Sequence, residues 1–177
     1  AADLYQRALD VQRQRLGADD PLVAQSLNNL AIALYNQRRA GEARVHYEEA
    51  LAIGERLLGP QHPEIAIFLS NLGNVLRLQG DYDAAQAAHQ RALAIRLATM
   101  GPDHPYVANS LHGLGRVAES RGDYQAALDA YQRAMAIDEQ ALGPEHADMA
   151  IYLTDLADVR QHLGERERAV DEYVRAV

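Results

Sequence analysis

Leu58-Gly59-Pro60-Gln61-His62-Pro63 returns as Met100-Gly101-Pro102-Asp103-His104-Pro105 and again as Leu142-Gly143-Pro144-Glu145-His146-Ala147. A looser copy, Leu16-Gly17-Ala18-Asp19-Asp20-Pro21, opens the series. The glycines stand at 17, 59, 101 and 143, a constant step of 42 residues. Self-similarity at a fixed period of this length marks a solenoid. Each unit of a solenoid buries its apolar face on its neighbours because it cannot do so alone.

Between the copies, apolar residues recur at helical spacing and no stretch alternates as a strand would. Asp20-Pro21 starts a helix, with Asp20 as its cap and Pro21 at the first position, where no N–H is needed. Helices are predicted over roughly 1–16, 21–37, 40–57, 63–79, 82–100, 105–121, 124–142, 147–163 and 166–177. Gln79-Gly80-Asp81-Tyr82 and Arg121-Gly122-Asp123-Tyr124 mark the turn inside a pair. There Gly supplies a left-handed residue and Asp caps the next helix. Arg38 replaces that Gly in the first pair, so a different turn is expected there. The chain reads as one array over 1–177. A half repeat (1–20, second helix only) precedes repeats 21–62, 63–104 and 105–146, and a shortened repeat 147–177 follows. It begins and stops inside a helical pattern, as a piece of a longer protein would.

Stepping by the period shows which positions hold the fold. Leu27, Leu69, Leu111 and Leu153 correspond, as do Leu30, Leu72, Leu114 and Leu156 in the first helices. Beside them Ala31, Gly73, Gly115 and Ala157 are always small. In the second helices Ala43, Ala85, Ala127 and Ala169 correspond, then Tyr47, His89, Tyr131 and Tyr173, then Ala50, Ala92, Ala134 and Ala176, with Ala8 matching in the opening helix. Small facing large at a fixed register lets antiparallel helices interlock at ~8–10 Å.

Composition narrows the function. Of 177 residues 48% are apolar, largely alanine, enough for a core between closely approaching helices. The formal charge of −8 argues against nucleic acid, which needs a basic patch. With no Cys there is neither a disulfide framework nor a thiolate metal site. No apolar run is long enough to span a membrane, and a cytoplasmic location is expected. No Gly-rich phosphate loop and no Ser-His-Asp set brought together by the helix phases points to an enzyme, and no cofactor is expected. His62, His104 and His146 recur at the period. Successive repeats lie ~10 Å or more apart, too far to share a metal whose ligands sit ~2 Å away. They read as turn residues, and no metal is expected.

Ala24-Gln25-Ser26-Leu27-Asn28-Asn29-Leu30-Ala31, Tyr47-Glu48-Glu49-Ala50-Leu51-Ala52-Ile53 and Leu58-Gly59-Pro60-Gln61-His62-Pro63 together resemble the tetratricopeptide repeat, in the long version of kinesin light chains. The resemblance covers essentially the whole chain. It implies an all-α right-handed superhelix of antiparallel helix pairs whose first helices line a concave groove that receives peptides. Departures are His89 at an aromatic position, Ala40 and Arg166 where Tyr82 and Tyr124 stand, and Ala147 in place of Pro.

All six Asn residues, 28, 29, 36, 71, 74 and 109, lie in first helices. At ~100° per residue, Ser70, Asn71 and Asn74 fall opposite Leu69, Leu72, Gly73 and Leu76. Asn is a poor helix former, by ~0.5–0.7 kcal/mol against Ala, so its confinement to one face needs a reason. An amide matches the main chain of an extended peptide, donor and acceptor together. The alternative is that these amides bond one another between adjacent repeats. The face carried over by the resemblance starts with Gln25, Asn28, Asn29, Ile32, Tyr35 and Asn36. Ile67, Ser70, Asn71, Asn74 and Arg77 come next, then Asn109, His112, Arg116 and Glu119. Ile151, Thr154, Asp155, Asp158 and Gln161 complete it. Arg77 and Arg116 would meet an acidic group of the bound segment. The expected role is a scaffold binding a protein or peptide in this groove. Alternatives are a sensor or regulatory region of a larger nucleotide-dependent switch protein, and a self-assembling array stacking head to tail through uncapped ends.

Overall fold

A computed structural model describes residues 2–176 and, among them, nine α-helices and no strand. They are α1 (Ala2–Leu16), α2 (Pro21–Asn36), α3 (Ala40–Leu58), α4 (Pro63–Leu78), α5 (Tyr82–Met100), α6 (Pro105–Arg121), α7 (Tyr124–Leu142), α8 (Asp148–His162) and α9 (Arg166–Arg175). The expected helices are all present, with ends shifted by at most two residues, while the expected ends at 1 and 177 lie outside the described residues. The chain divides into two compact units, Ala1–Ile95 and Arg96–Val177, the division falling inside α5. In the first unit α2 packs on α3, α3 on α4, and α1 on α2. In the second, α6 packs on α7, α7 on α8, and α8 on α9.

The connections follow from their residues. Asp20 accepts from the Leu22 N–H at 2.8 Å, with Pro21 opening α2. His62 and His104 are the caps of α4 and α6, each ring Nδ1 accepting a backbone N–H two residues on, at 3.3 and 3.1 Å. Where Ala147 replaces Pro, α8 starts one residue later, and His146 Nδ1 still accepts the Asp148 N–H at 3.3 Å. Gly59 and Gly143 have φ/ψ of 84°/156° and 91°/158°. That region is essentially reserved for Gly, which explains the glycine that recurs at this point of the repeat.

The first pair's turn corrects an expectation. Arg38 takes φ 62°, the left-handed conformation of Gly80, Gly122 and Gly164. Arg39 N–H reaches Leu34 O at 3.0 Å, as Asp81 reaches Leu76 at 3.0 Å, Asp123 reaches Ala118 at 2.9 Å and Glu165 reaches Arg160 at 2.9 Å. The turn therefore keeps its hydrogen bonds and accepts the steric penalty of a Cβ.

Small-to-large matching is literal. A Cβ on Gly73 would lie 2.7 Å from the His89 ring, and one on Gly115 would lie 2.5 Å from the Tyr131 ring. Leu27, Leu69, Leu111, Leu153 and the alanines at 43, 85, 127 and 169 are all buried. The opening helix departs from the pattern. In α1 Leu9 is buried, whereas Ala8, Leu4 and Tyr5 are exposed. Among the described residues α1 packs chiefly on α2, whereas α3 packs on both α2 and α4. No helix among the described residues is long and apolar enough to cross a membrane.

Candidate functional site

In the first unit the predicted face belongs to α2 and α4. Asn29, Ile32, Asn36 and Ile67 are exposed, and Tyr35, Asn74 and Arg77 are half-buried. Asn28 is buried, and its Oδ1 accepts from Asn71 Nδ2 at 2.9 Å. The two amides thus join successive first helices, which is the structural role for that pair. Ser70 is also buried, with no partner for its Oγ among the described residues. At the turn end of the unit, Tyr35, Asn36, Arg38, Ala40 and Leu78 line an open cleft of about 510 Å³.

In the second unit the face is built from α6 and α8. Asn109, Ile151 and Gln161 are exposed. Thr154 is exposed too, but its hydroxyl donates back to Ala150 O of its own helix at 2.8 Å. Most polar members are engaged with other side chains. His112 Nε2 lies 2.5 Å from Asp155 Oδ2, Glu119 accepts from Tyr131 Oη at 2.7 Å, and Asp158 accepts from Tyr173 Oη. The His112 ring sits 5.3 Å from both Tyr131 and Tyr152, edge-on to the latter. Arg116 is half-buried and has no ion-pair partner among the described residues. No group of three or more His, Asp or Glu among them is placed to hold a metal ion.

Two buried charged side chains escaped the sequence reading. Arg96, buried near the end of α5, donates to Tyr106 O at 3.0 Å, Asn109 Oδ1 at 3.1 Å and Ser110 Oγ at 2.6 Å. Its guanidinium lies 5.5 Å from the Tyr106 ring centroid, and burial pushes it down to about 10. Asp138, buried near the end of α7, accepts from Tyr152 Oη at 2.6 Å. Burial, and then the carboxylate bond, push the Tyr152 hydroxyl upward. Gly54, Arg96 and Asp138 stand at steps of 42, as do Phe68, Ser110 and Tyr152 opposite them. A Cβ on Gly54 would lie 2.9 Å from the Phe68 ring. One position of the repeat thus holds nothing against a phenyl ring, a guanidinium against a hydroxyl, and a carboxylate against a phenol. The signal was visible as a position that changes character at every step.

Beside Asp138 a cavity of about 320 Å³ opens between the starts of α6 and α8 and the end of α7. Its wall includes Tyr106, Asn109, His112, Asp138, Asp148, Ile151 and Tyr152. Asn109, His112 and Ile151 are expected face residues. The others join them through the fold.

Comparison with known proteins places this geometry in a family. The tetratricopeptide repeat profile matches residues 1–53, 22–98, 64–140 and 120–177. No curated protein sequence matches the chain. Among solved structures, BtubC (BKLC) from P. vanneervenii is similar at 25% identity and a TM-score of 0.85, over 98% of this chain and 69% of that one. A Podosopora anserina putative kinesin light chain with nearly identical TPR-like repeats is similar at 24% identity and a TM-score of 0.79, over 99% and 83%. MamA shares 19% identity at a TM-score of 0.66, over 97% and 86%. Folds of this kind generally mediate protein–protein interaction. With helix pairs at a constant 42-residue step and the repeat profile matched from end to end, the chain belongs to the tetratricopeptide repeat family.

Proposed function

We propose that the chain is a non-enzymatic binding scaffold whose first-helix faces receive a peptide or a segment of a partner protein. It forms one array with repeats at 21–62, 63–104 and 105–146. The observation that carries this is the position shared by Gln25, Ile67, Asn109 and Ile151. All four are exposed, although Ile67 and Ile151 are apolar and 41% and 53% accessible. Apolar side chains kept in solvent, beside amides, suit a main chain laid across them. Asn29, Ile32, Asn74 and Arg77 serve in the first unit, and Asn109, Arg116 and Ile151 in the second. Each arginine takes an acidic group of the ligand.

The test is to select peptides from a random display library on the chain, then titrate one against Arg77→Glu, Arg116→Glu and the second-helix control Arg133→Glu. The first two should weaken binding at least several-fold and the control should not. Equal affinity for all three would sink the reading.

A second reading is self-association. Leu4, Tyr5 and Val11 of α1 are 69%, 43% and 49% exposed, and Val170 and Val174 of α9 are 58% and 72% exposed. Exposed apolar faces of this kind on α1 and α9 invite stacking. Sedimentation over a concentration series separates this from a monomer.

A further inference from the structure

Arg96 and Asp138 occupy the same repeat position, one 42-residue step apart. Arg96 fills its place from within the chain. Its guanidinium is held by Tyr106 O, Asn109 Oδ1 and Ser110 Oγ of the following first helix. The counterparts of those three residues, one step on, are Asp148, Ile151 and Tyr152. All three line the cavity of about 320 Å³ beside Asp138. The cavity is therefore the next repeat's version of the place where Arg96 reaches its acceptors, with a carboxylate in its wall where the arginine stem would be.

Its chemistry matches that origin. Asp138 is 5% exposed. Its Oδ2 accepts from Tyr152 Oη at 2.6 Å, while its Oδ1 is buried and has no partner among the described residues. A buried carboxylate oxygen without a donor is costly, and a charge-assisted hydrogen bond is the strongest way to satisfy it. Asp148 adds a second carboxylate at the rim, its side chain 50% exposed and one oxygen 3.6 Å from His146 Nδ1, a long contact that leaves room for a nearer donor. The Tyr106 and Tyr152 rings supply aromatic walls that favour a cation, and Ile151 offers apolar surface to an alkyl stem. Among the described residues two basic groups stand near the socket without lining it: Arg96, 5.5 Å from the Tyr106 ring centroid, and the His146 ring, 3.6 Å from Asp148. His112 in the wall is engaged by Asp155.

We propose that this cavity is a socket for one protonated side chain, an arginine or a lysine, presented by a partner polypeptide. The proposal rests on the scaffold reading above and names one chemical feature of the partner. A bound segment would carry a basic residue here, distinct from the acidic group that Arg116 takes.

The test needs no partner. Two-dimensional NMR of the 177-residue chain is recorded during titration with N-acetyl-arginine methylamide, N-acetyl-lysine methylamide and the neutral citrulline analogue. The cationic probes should give saturable shifts centred on the amides of Asp148, Ile151 and Tyr152. Citrulline should bind about tenfold more weakly or worse, since the difference is a charge-assisted bond to a buried acceptor. Asp138→Asn should abolish the preference, and Asp148→Asn should reduce it. Equal response to arginine and citrulline, shifts that spread over acidic surface without saturating, or an unaltered preference in folded Asp138→Asn would each overturn the proposal. If circular dichroism shows Asp138→Asn unfolded, Asp148→Asn decides alone, and an unchanged preference there overturns it. Loss of the socket would leave the Arg77 and Arg116 test unaffected, so the two readings fail separately.

Discussion

Tyr152 donates its hydroxyl to Asp138 at 2.6 Å, at the repeat position where Phe68 lies against Gly54. The two solutions are alternatives for the same space. Tyr152→Phe would leave both carboxylate oxygens of Asp138 without a donor among the described residues, and should destabilise by about 1–3 kcal/mol. Adding Asp138→Gly recreates the glycine–phenyl pairing. The double variant should be less destabilised than the sum of the two single changes, because the residues touch. Urea midpoints of the four proteins check this. Strict additivity would show that the two residues are not coupled.

The Asn28–Asn71 bond makes a separate claim about which amides are structural. A double-mutant cycle with Asn28→Ala and Asn71→Ala should give a coupling of about 0.5–1.5 kcal/mol in stability. Asn29→Ala, exposed and adjacent, should leave stability within about 0.5 kcal/mol. Thermal and urea denaturation read both. If Asn29 proved the costly one, the assignment of the pair as the internal link would fail.

Much of this was legible in the sequence, and the remainder was hidden for identifiable reasons. The period and the pairing of Gly73 with His89 are steric facts that any alignment by 42 exposes. Asn28 and Asn29 are neighbours on the same helix, yet one is buried and the other exposed. A face assigned from helical phase has no edge sharp enough to separate them. Ser70 was read as surface for the same reason. The exposure of Ala8 was hidden because a repeat alignment assumes neighbours on both sides. Arg96 and Asp138 are hidden in an alignment that highlights only positions that stay the same. The chemistry sits where the position changes.

The buried tyrosines give the stability a pH dependence with a definite sign. Tyr47, Tyr131 and Tyr152 all have hydroxyls pushed upward, first by burial. For Tyr131 and Tyr152 the carboxylates of Glu119 and Asp138 add to it. A hydroxyl whose proton is held more tightly in the folded state contributes stability that is fully present below the unfolded value, ~10. Above it the unfolded chain releases protons that the folded chain retains, so stability falls as pH rises. Urea midpoints should therefore be flat from pH 8 to about 9.5 and decline steeply beyond ~10. Tyr131→Phe, although less stable at neutral pH, should show a shallower decline. An equally steep decline in that variant would assign the effect to other groups.

Arg38 offers a prediction of the opposite sign, a surface change that stabilises. It is the one described non-glycine residue at positive φ, and it is exposed at the tip of its turn. An L-residue in this conformation costs ~1–2 kcal/mol relative to the right-handed region, whereas Gly adopts it freely but loses more chain entropy on folding. The steric term exceeds the entropic one, so Arg38→Gly should raise stability by up to about 1 kcal/mol. For a chain of this size that is a shift of roughly 2–4 °C in Tm. The same change at the exposed, right-handed Gln37 (φ −87°, ψ 7°) has no strain to relieve and should be neutral or destabilising. Calorimetry of both variants separates relief of backbone strain from any general effect of a shorter side chain. A loss of stability in Arg38→Gly would mean that the arginine side chain makes contacts outweighing its backbone penalty.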